Sequence, residues 1–289
     1  NWFSKEDPFN SSNYIEGFIS MIRDDSYGAI FIRQVNGKKV PQLIYCTPKI
    51  GYPFDRSNNW HFPKAKTIEC YDKLDGTNIF AYRYCDEKGK EFLTFKTRLV
   101  PFLGESRFGP FKSMWEEMLI KYSKIKTLPF SLNMNLSFEL YGARNPHLIK
   151  YTNSLETALL FARAGKTILP PSKFDSYGVP TSKLKAIIDK DYIFNYQESK
   201  RKMNEVLKET EGQYIGNEGE VWYLLDVKDS WHQFKCKPDI IEVIHFSSSG
   251  ISKNVIVATC LKAFENWDEP TIDNVQTLLL EDYPDFEIE

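Results

Sequence analysis

The stretch Ile68-Glu69-Cys70-Tyr71-Asp72-Lys73-Leu74-Asp75-Gly76-Thr77-Asn78-Ile79-Phe80-Ala81-Tyr82-Arg83-Tyr84 decides how the chain is read. Ile68, and then Ile79, Phe80, Tyr82 and Tyr84, are aromatic or β-branched at strand-like positions, so two strands flank a short polar turn. Gly76 beside Asp75 suits a tight turn or a close approach of backbone to a nucleotide, and it leaves Lys73 on a loop between strands. The second strand runs on through the turn Asp86-Glu87-Lys88-Gly89 into Phe92-Leu93-Thr94-Phe95, which predicts an antiparallel hairpin.

Working outward, Met114, Met118, Leu119 and Tyr122 recur at three-to-four spacing and predict an amphipathic helix over 111–125. Residues 136–142 alternate like a strand. Ser154 is placed to cap a short helix reaching residue 163, and residues 181–211 carry two polar helical stretches around Tyr192-Ile193-Phe194. Two further strands, 220–225 and 231–237, are joined by the turn 226–230. Residues 1–60 mix polar turns with strand-like pieces such as 29–32 and 42–45, and carry no motif. These patterns predict an α+β fold in which antiparallel sheets, two of them packed together, are flanked by helices. The expected division is an N-terminal extension at 1–60 packed on or part of the main body, a central domain at 61–238, and a small, mostly helical segment with an acidic end at 239–289.

The chain has 289 residues, 42% hydrophobic and 26% charged, which fits a folded protein and excludes disorder, collagen-like repeats and a fibrous role. Its net charge of −2 removes a general basic coat, so any polyanion site must be a local cluster of Lys and Arg in a cleft. Cys46, Cys70, Cys85, Cys236 and Cys260 form no CxxC pair and read as reduced thiols of a cytosol-like compartment. The four histidines show no HExxH spacing, which disfavours a zinc hydrolase. The longest apolar runs fall far below a membrane span, so the expectation is a cytoplasmic or nuclear, non-membrane protein, and a start at Asn1 leaves room for a trimmed targeting segment.

Four segments carry charge in a telling order: Lys73-Leu74-Asp75-Gly76-Thr77-Asn78, Phe138-Glu139-Leu140-Tyr141-Gly142, Glu218-Gly219-Glu220-Val221 and Lys235-Cys236-Lys237. A lysine amine is inert as a nucleophile near neutral pH unless burial or nearby positive charge lowers its pKa. Lys235 and Lys237, two apart and so on one strand face, would together with a divalent metal supply that charge beside Lys73, and would also neutralise a triphosphate. Mg²⁺, or Mn²⁺, takes few carboxylates plus substrate oxygens, and Glu218 suits it. Each residue also has a plain reading: Lys73 as a turn lysine, Glu139 as the solvated face of a strand, and Phe161, in the apolar run 158–162, as a core aromatic. The basic run Lys200-Arg201-Lys202 is interleaved with Glu198 and Glu205, which reads as a solvated helix face rather than a phosphate track.

In combination the four segments resemble the ordered motifs of the covalent nucleotidyltransferase superfamily of DNA ligases, RNA ligases and mRNA capping enzymes, over about residues 66–238. The Thr77-Asn78 extension resembles phage-type ATP-dependent RNA ligases more than DNA ligases. That resemblance implies Lys73 as the residue that attacks the α-phosphate of ATP to give a lysyl-N-AMP adduct. AMP then passes to an RNA 5′-phosphate, and a 3′-hydroxyl seals the strand. It further implies Glu139 as the ribose-holding carboxylate, Glu218 as the metal-associated one, and Lys235 and Lys237 as contacts of the α-phosphate. Arg98 is implied as a ribose or phosphate contact, Phe161 as an adenine-stacking ring, Asp72 as an acceptor for the adenine amino group and Asn78 as an aid in aligning strand ends. The expected partners are RNA ends or a nicked RNA-containing duplex, with no membrane and no obligate protein partner. The rivals are a small DNA ligase, a GTP-using capping guanylyltransferase, and a catalytically idle RNA-binding protein of the same fold. A carboxy-terminal OB-fold is not expected behind a segment as short as 239–289, and the terminal extensions instead suit a small helper module that grips RNA.

Overall fold

The protein is described from a computed structural model covering residues 1–242, apart from 23, 56, 106–109 and 211–212, together with 259–260, 263, 271, 274–275 and 277–278. Asn1–Lys237 forms one compact unit and Pro238–Glu289 a second. Most of the helical segment expected at 239–289 lies outside the described residues.

The first unit opens with four strands, β1 (Trp2–Glu6), β2 (Tyr14–Ile19), β3 (Ile30–Val35) and β4 (Lys38–Ile44), which form an antiparallel meander. Next come β5 (Ala65–Asp72), β6 (Thr77–Cys85), β7 (Glu91–Lys96), helices α1 (Phe111–Lys121) and α2 (Leu128–Leu132), and strands β8 (Asn135–Tyr141), β9 (Glu156–Ala164) and β10 (Thr167–Leu169). The unit closes with β11 (Leu184–Ile188), α3 (Tyr192–Val206), the short strands β12 (Lys208–Thr210) and β13 (Gln213–Ile215), and the hairpin of β14 (Glu220–Asp226) and β15 (Trp231–Cys236). A five-stranded sheet has the order β10-β9-β8-β6-β7, a four-stranded one β11-β5-β14-β15, and β12 and β13 pair alone.

Two of these sheets frame the centre of the unit, and a helix covers the outside of each. On β8, Leu136, Phe138 and Leu140 alternate into a core with Met114, Trp115, Met118 and Leu119 of α1. On β6, Phe80, Tyr82 and Tyr84 point the other way, into a second core shared with Tyr71, Val221 and Tyr223 and with the inner face of the β1–β4 sheet. Beyond the four-stranded sheet, Tyr196 and Met203 of α3 pack on Ile68, Cys70, Trp222 and Leu224. Alternation by two along each strand lets one sheet serve two cores at once. No helix among the described residues is long and apolar enough to cross a membrane.

Three sequence expectations need correction. The segment expected to be a helix capped by Ser154 is strand β9, held between β8 and β10, because Leu159 and Ala162 feed one core and Phe161 the other. An apolar run buried on both faces has no alternation to mark it as a strand. Residues 181–211 hold one helix, α3, and not two, since the run before it pairs with β5 as β11. The helix expected over 111–125 ends at Lys121 and is followed by a 3₁₀ turn, Ser123–Lys126. The basic run on α3 is neutralised in place, as its interleaved glutamates foretold: Arg201 pairs with both Glu198 and Glu205.

Candidate active site

Strand register assembles the site. Glu220 of β14 lies opposite Asp72 of β5 on one side and Cys236 of β15 on the other. Lys73, Glu218 and Lys237, each one or two residues beyond those positions, therefore emerge at the same end of three neighbouring strands. The Lys73 backbone N–H donates to the Gly219 carbonyl at 2.9 Å, which fastens the end of β5 to the approach of β14. Gly219 has φ +155°, and a Cβ there would meet the Cys236 carbonyl oxygen at 2.3 Å, so only glycine permits this approach. Gly76 is needed for the same reason, since its Cβ would lie 2.2 Å from the Leu140 carbonyl oxygen of β8.

Glu218 is 2% exposed and bridges two amines. One carboxylate oxygen accepts from Lys73 Nζ and the other from Lys237 Nζ at 2.6 Å. Lys237 is itself 5% exposed, and a quarter of the Lys73 side chain faces the cleft. Removing Glu218 would leave two neighbouring ammonium groups uncompensated, at a cost of about 3–5 kcal/mol, whereas removing Lys73 leaves Glu218 paired with Lys237.

Protonation in this cluster follows from burial and neighbours. Burial alone would pull the Lys73 amine down, but Glu218, Glu139 and Asp75 outweigh it and its pKa is raised. Lys237 is pulled down by burial and by the Lys73 charge, against the opposing pull of Glu218. Burial pushes Glu139 up to about 8, with Glu218 and Asp75 adding to the rise and Lys73 opposing it. Asp75 is raised by burial and by Glu218, and its carboxylate accepts from the Ile149 backbone N–H at 2.8 Å. The expectation that positive neighbours lower the Lys73 pKa is therefore corrected for this state of the protein. The carboxylates around Lys73 keep it an ammonium, and a neutral amine needs added positive charge at Glu218.

A cavity of about 620 Å³ opens beside the cluster, within the usual range for a small-molecule site. Lys49, Lys73, Arg98, Lys235 and Lys237 line it, against the carboxylates Asp72 and Glu139, while Ile50, Leu160 and Val221 supply apolar wall. Eight of the nine residues singled out in the sequence are on this wall, and Glu218 joins them through Lys73 and Lys237. Lys235 sits 4.2 Å over the Tyr52 ring, and its backbone N–H donates to Gly51 at 3.0 Å. Arg98 has a buried Nε without a hydrogen-bond partner and stacks over Tyr27 at 5.8 Å. Asp72 accepts from Asn217 Nδ2 at 2.9 Å and lies 3.4 Å from Lys185.

Two of the nine are tied into the scaffold. Asn78 donates to Ser137 Oγ at 2.9 Å and to the Phe138 carbonyl at 3.0 Å, and accepts from Thr47 Oγ1 at 2.7 Å, so its amide joins β6 to β8. Phe161 is 1% exposed and packs near Phe80, so it borders the cavity without an open ring face for stacking. Sequence reasoning missed Thr47, Lys49 and Ile50, along with His147 and Ser182, on the same wall. No motif marks the first three, and only the path of the chain after β4 brings them there. Among the described residues no three His, Cys, Asp or Glu side chains converge on a metal position. Glu218 is a hard oxygen donor of the kind Mg²⁺ or Mn²⁺ takes alongside substrate phosphates, so it fits a cation that shares its shell with a nucleotide.

The fold is α+β, with antiparallel sheets that bring a lysine and a carboxylate to adjoining strand ends beside a basic cavity. Comparison with solved structures finds that fold in an archaeal ATP-dependent RNA ligase, in two forms with TM-scores of 0.59 and 0.55. Each is 13% identical over 91% of this chain and 68% of that one. A Naegleria gruberi RNA ligase, a lysine-to-alanine mutant with ATP and Mn, aligns at TM-score 0.45 and 16% identity over 64% of this chain and 52% of that one. No family model and no curated protein matches the chain.

Proposed function

We propose that this protein is an ATP-dependent RNA ligase that works through a lysyl-N-AMP intermediate on Lys73. The observation that carries the reading is the bridge from Lys73 through Glu218 to Lys237, held by strand register at the edge of a cavity with five cationic side chains. On this reading the triphosphate lies among Lys49, Arg98, Lys235 and Lys237, whose charges offset its own in a partly dehydrated cleft. The Lys73 ammonium first gives up a proton to water in the cleft, its neutral Nζ attacks the α-phosphorus, a P–N bond forms as the P–O bond to pyrophosphate breaks, and the second amine proton leaves toward Glu218. Glu218 would help hold a divalent cation, which would supply positive charge that lowers the pKa of the neighbouring amine. Glu139, neutral by virtue of its burial, donates a hydrogen bond to the ribose. Transfer of AMP to an RNA 5′-phosphate and attack by a 3′-hydroxyl complete the joining of RNA ends or of a nick.

The catalytic body is then the whole unit Asn1–Lys237 rather than 61–238, since Thr47, Lys49 and Ile50 supply one wall of its cavity. Incubation with Mg²⁺ and ATP labelled at the α-phosphate tests the reading. The wild type is expected to become covalently labelled and Lys73→Ala is not. Undiminished labelling of Lys73→Ala removes the nucleophile, and labelling by GTP alone replaces the ligase with a guanylyltransferase.

A further inference from the structure

The β1–β4 sheet has two unlike faces. Phe3, Ile15, Ile19, Ile30, Ile32 and Val35 are buried on the inner one. On the outer face Trp2 lies opposite Phe18, Phe18 opposite Phe31, and Phe31 opposite Leu43, so one apolar side chain from every strand falls in a single row. Their exposures are 48%, 45%, 40% and 58%, at positions where the solvated face of an antiparallel sheet ordinarily carries polar residues. A contiguous exposed apolar strip of this kind marks an interaction site.

Three features of the strip identify its occupant. The rings of Trp2 and Phe18 stand 4.8 Å apart, edge to face, and neighbouring strands repeat at roughly 4.8 Å, so three rings, Trp2, Phe18 and Phe31, follow one another along the row before the aliphatic Leu43. Next to the row, the same face turns polar with Ser4, Glu16, Gln34 and Lys39, leaving a strip one side chain deep rather than the broad apolar core of a protein interface. Exposed Arg33 and Lys39 stand beside it, and no ion pair among the described residues engages either. Half-buried Glu16 is the carboxylate next to the row, and exposed Glu6 lies two residues further along β1 on the same face.

The strip also lies at the cavity end of the sheet. Gly28, two residues before β3, accepts from Lys96 through its carbonyl and abuts the Arg98 backbone, and β4 continues past Leu43 to Thr47 and Lys49 on the cavity wall. From this we infer that Trp2, Phe18, Phe31 and Leu43 form a stacking platform for the bases of a single-stranded RNA segment whose end enters the cavity. Arg33 and Lys39 take its phosphates. Rings that accept any base, flanked by cations that follow the backbone, are the physical basis of sequence-tolerant single-strand binding. This inference rests on the ligase reading for the identity of the strand.

The test compares full-length wild type with a Trp2→Ala/Phe31→Ala variant and a Trp2→Tyr/Phe31→Tyr variant. Each is assayed by fluorescence anisotropy with a labelled short single-stranded RNA, and separately for covalent labelling by ATP. The alanine variant is expected to bind RNA at least about tenfold more weakly, the tyrosine variant to recover most of that loss, and all three to be labelled equally by ATP. Unchanged RNA affinity in the alanine variant overturns the platform. A wild type that sediments as a dimer and an alanine variant that sediments as a monomer, with equal RNA affinity, assign the strip to a second copy of the chain and also overturn it. Failure of the wild type to take label from ATP sinks the ligase reading instead, and leaves the anisotropy result to be judged by itself.

Discussion

Lys73 and Lys96 lie close to the same cavity and are held in opposite ways. Lys96 is fully buried, its Nζ donates to the carbonyls of Gly28 at 3.0 Å and Arg98 at 2.6 Å, and burial pulls its pKa down. Lys73 keeps a quarter of its side chain in the cleft and has its pKa raised by the carboxylates around it. The amine closer to neutrality is thus the one that cannot reach a substrate. Burial lowers a pKa at no functional gain where the nitrogen is already bound to two backbone carbonyls, whereas carboxylates beside an accessible amine hold it charged until something positive displaces them.

The largest effects should separate these two lysines. Lys73→Met is expected to abolish ATP-dependent labelling with little loss of thermal stability. Lys96→Met, which leaves two buried carbonyls unpaired, should lower unfolding free energy in urea by about 1–3 kcal/mol while the folded fraction is labelled at close to the wild-type rate. Equal labelling losses in both variants would erase the distinction. Next in size, Lys237→Ala should slow labelling roughly 10²- to 10³-fold, because an uncompensated phosphate charge then develops in the cleft. A rate within a few-fold of wild type would reduce Lys237 to a structural partner of Glu218.

The sequence named one side of this contrast and not the other. The ordered lysine, carboxylate, carboxylate and lysine-pair segments single out residues that the structure brings to one cavity, because strand ends with charged residues beside glycines are local features, whereas nothing marks Lys96. The charge state of Lys73 was not legible, since it depends on which neighbour lies nearest in three dimensions, and that neighbour is Glu218 rather than Lys235. Strand β9 was misread because burial on both faces removes the alternation that marks a strand. Lys49 and Thr47 carry no motif and reach the cavity only through the path of the chain after β4. The Trp2, Phe18, Phe31 and Leu43 row is likewise invisible until register is known, since the four residues are scattered over the first 43 positions.

Glu139 offers a pH test of the same cluster. Its carboxyl holds a proton in the folded state up to about pH 8, while the unfolded chain releases it near the ordinary value of 4.5. The folded state therefore binds more protons between those values, and stability from this group is fully present below pH 4.5 and declines as pH rises toward 8. Glu139→Gln, which cannot titrate, should flatten that decline by an amount on the order of 1–3 kcal/mol between pH 5 and 8, read from urea midpoints. Parallel profiles for variant and wild type would mean that Lys73 and Arg98 stabilise an ionised Glu139 after all.

The smallest expected effect is at Lys49, and it probes how far the cavity's field extends. Lys49 is exposed, unlike Lys237, so its attraction to a triphosphate is screened by water and salt. Lys49→Ala should raise the KM for ATP in the labelling reaction by about two- to fivefold, the range of an exposed ion pair, and leave kcat unchanged. The difference should shrink as NaCl is raised, since the Debye length falls from about 10 Å at 0.1 M to about 3 Å at 1 M. A salt-independent effect, or one that appears in kcat, would place Lys49 against the transferring phosphate together with Lys237, and the line drawn between buried chemical residues and exposed steering residues would have to move outward to include the segment after β4.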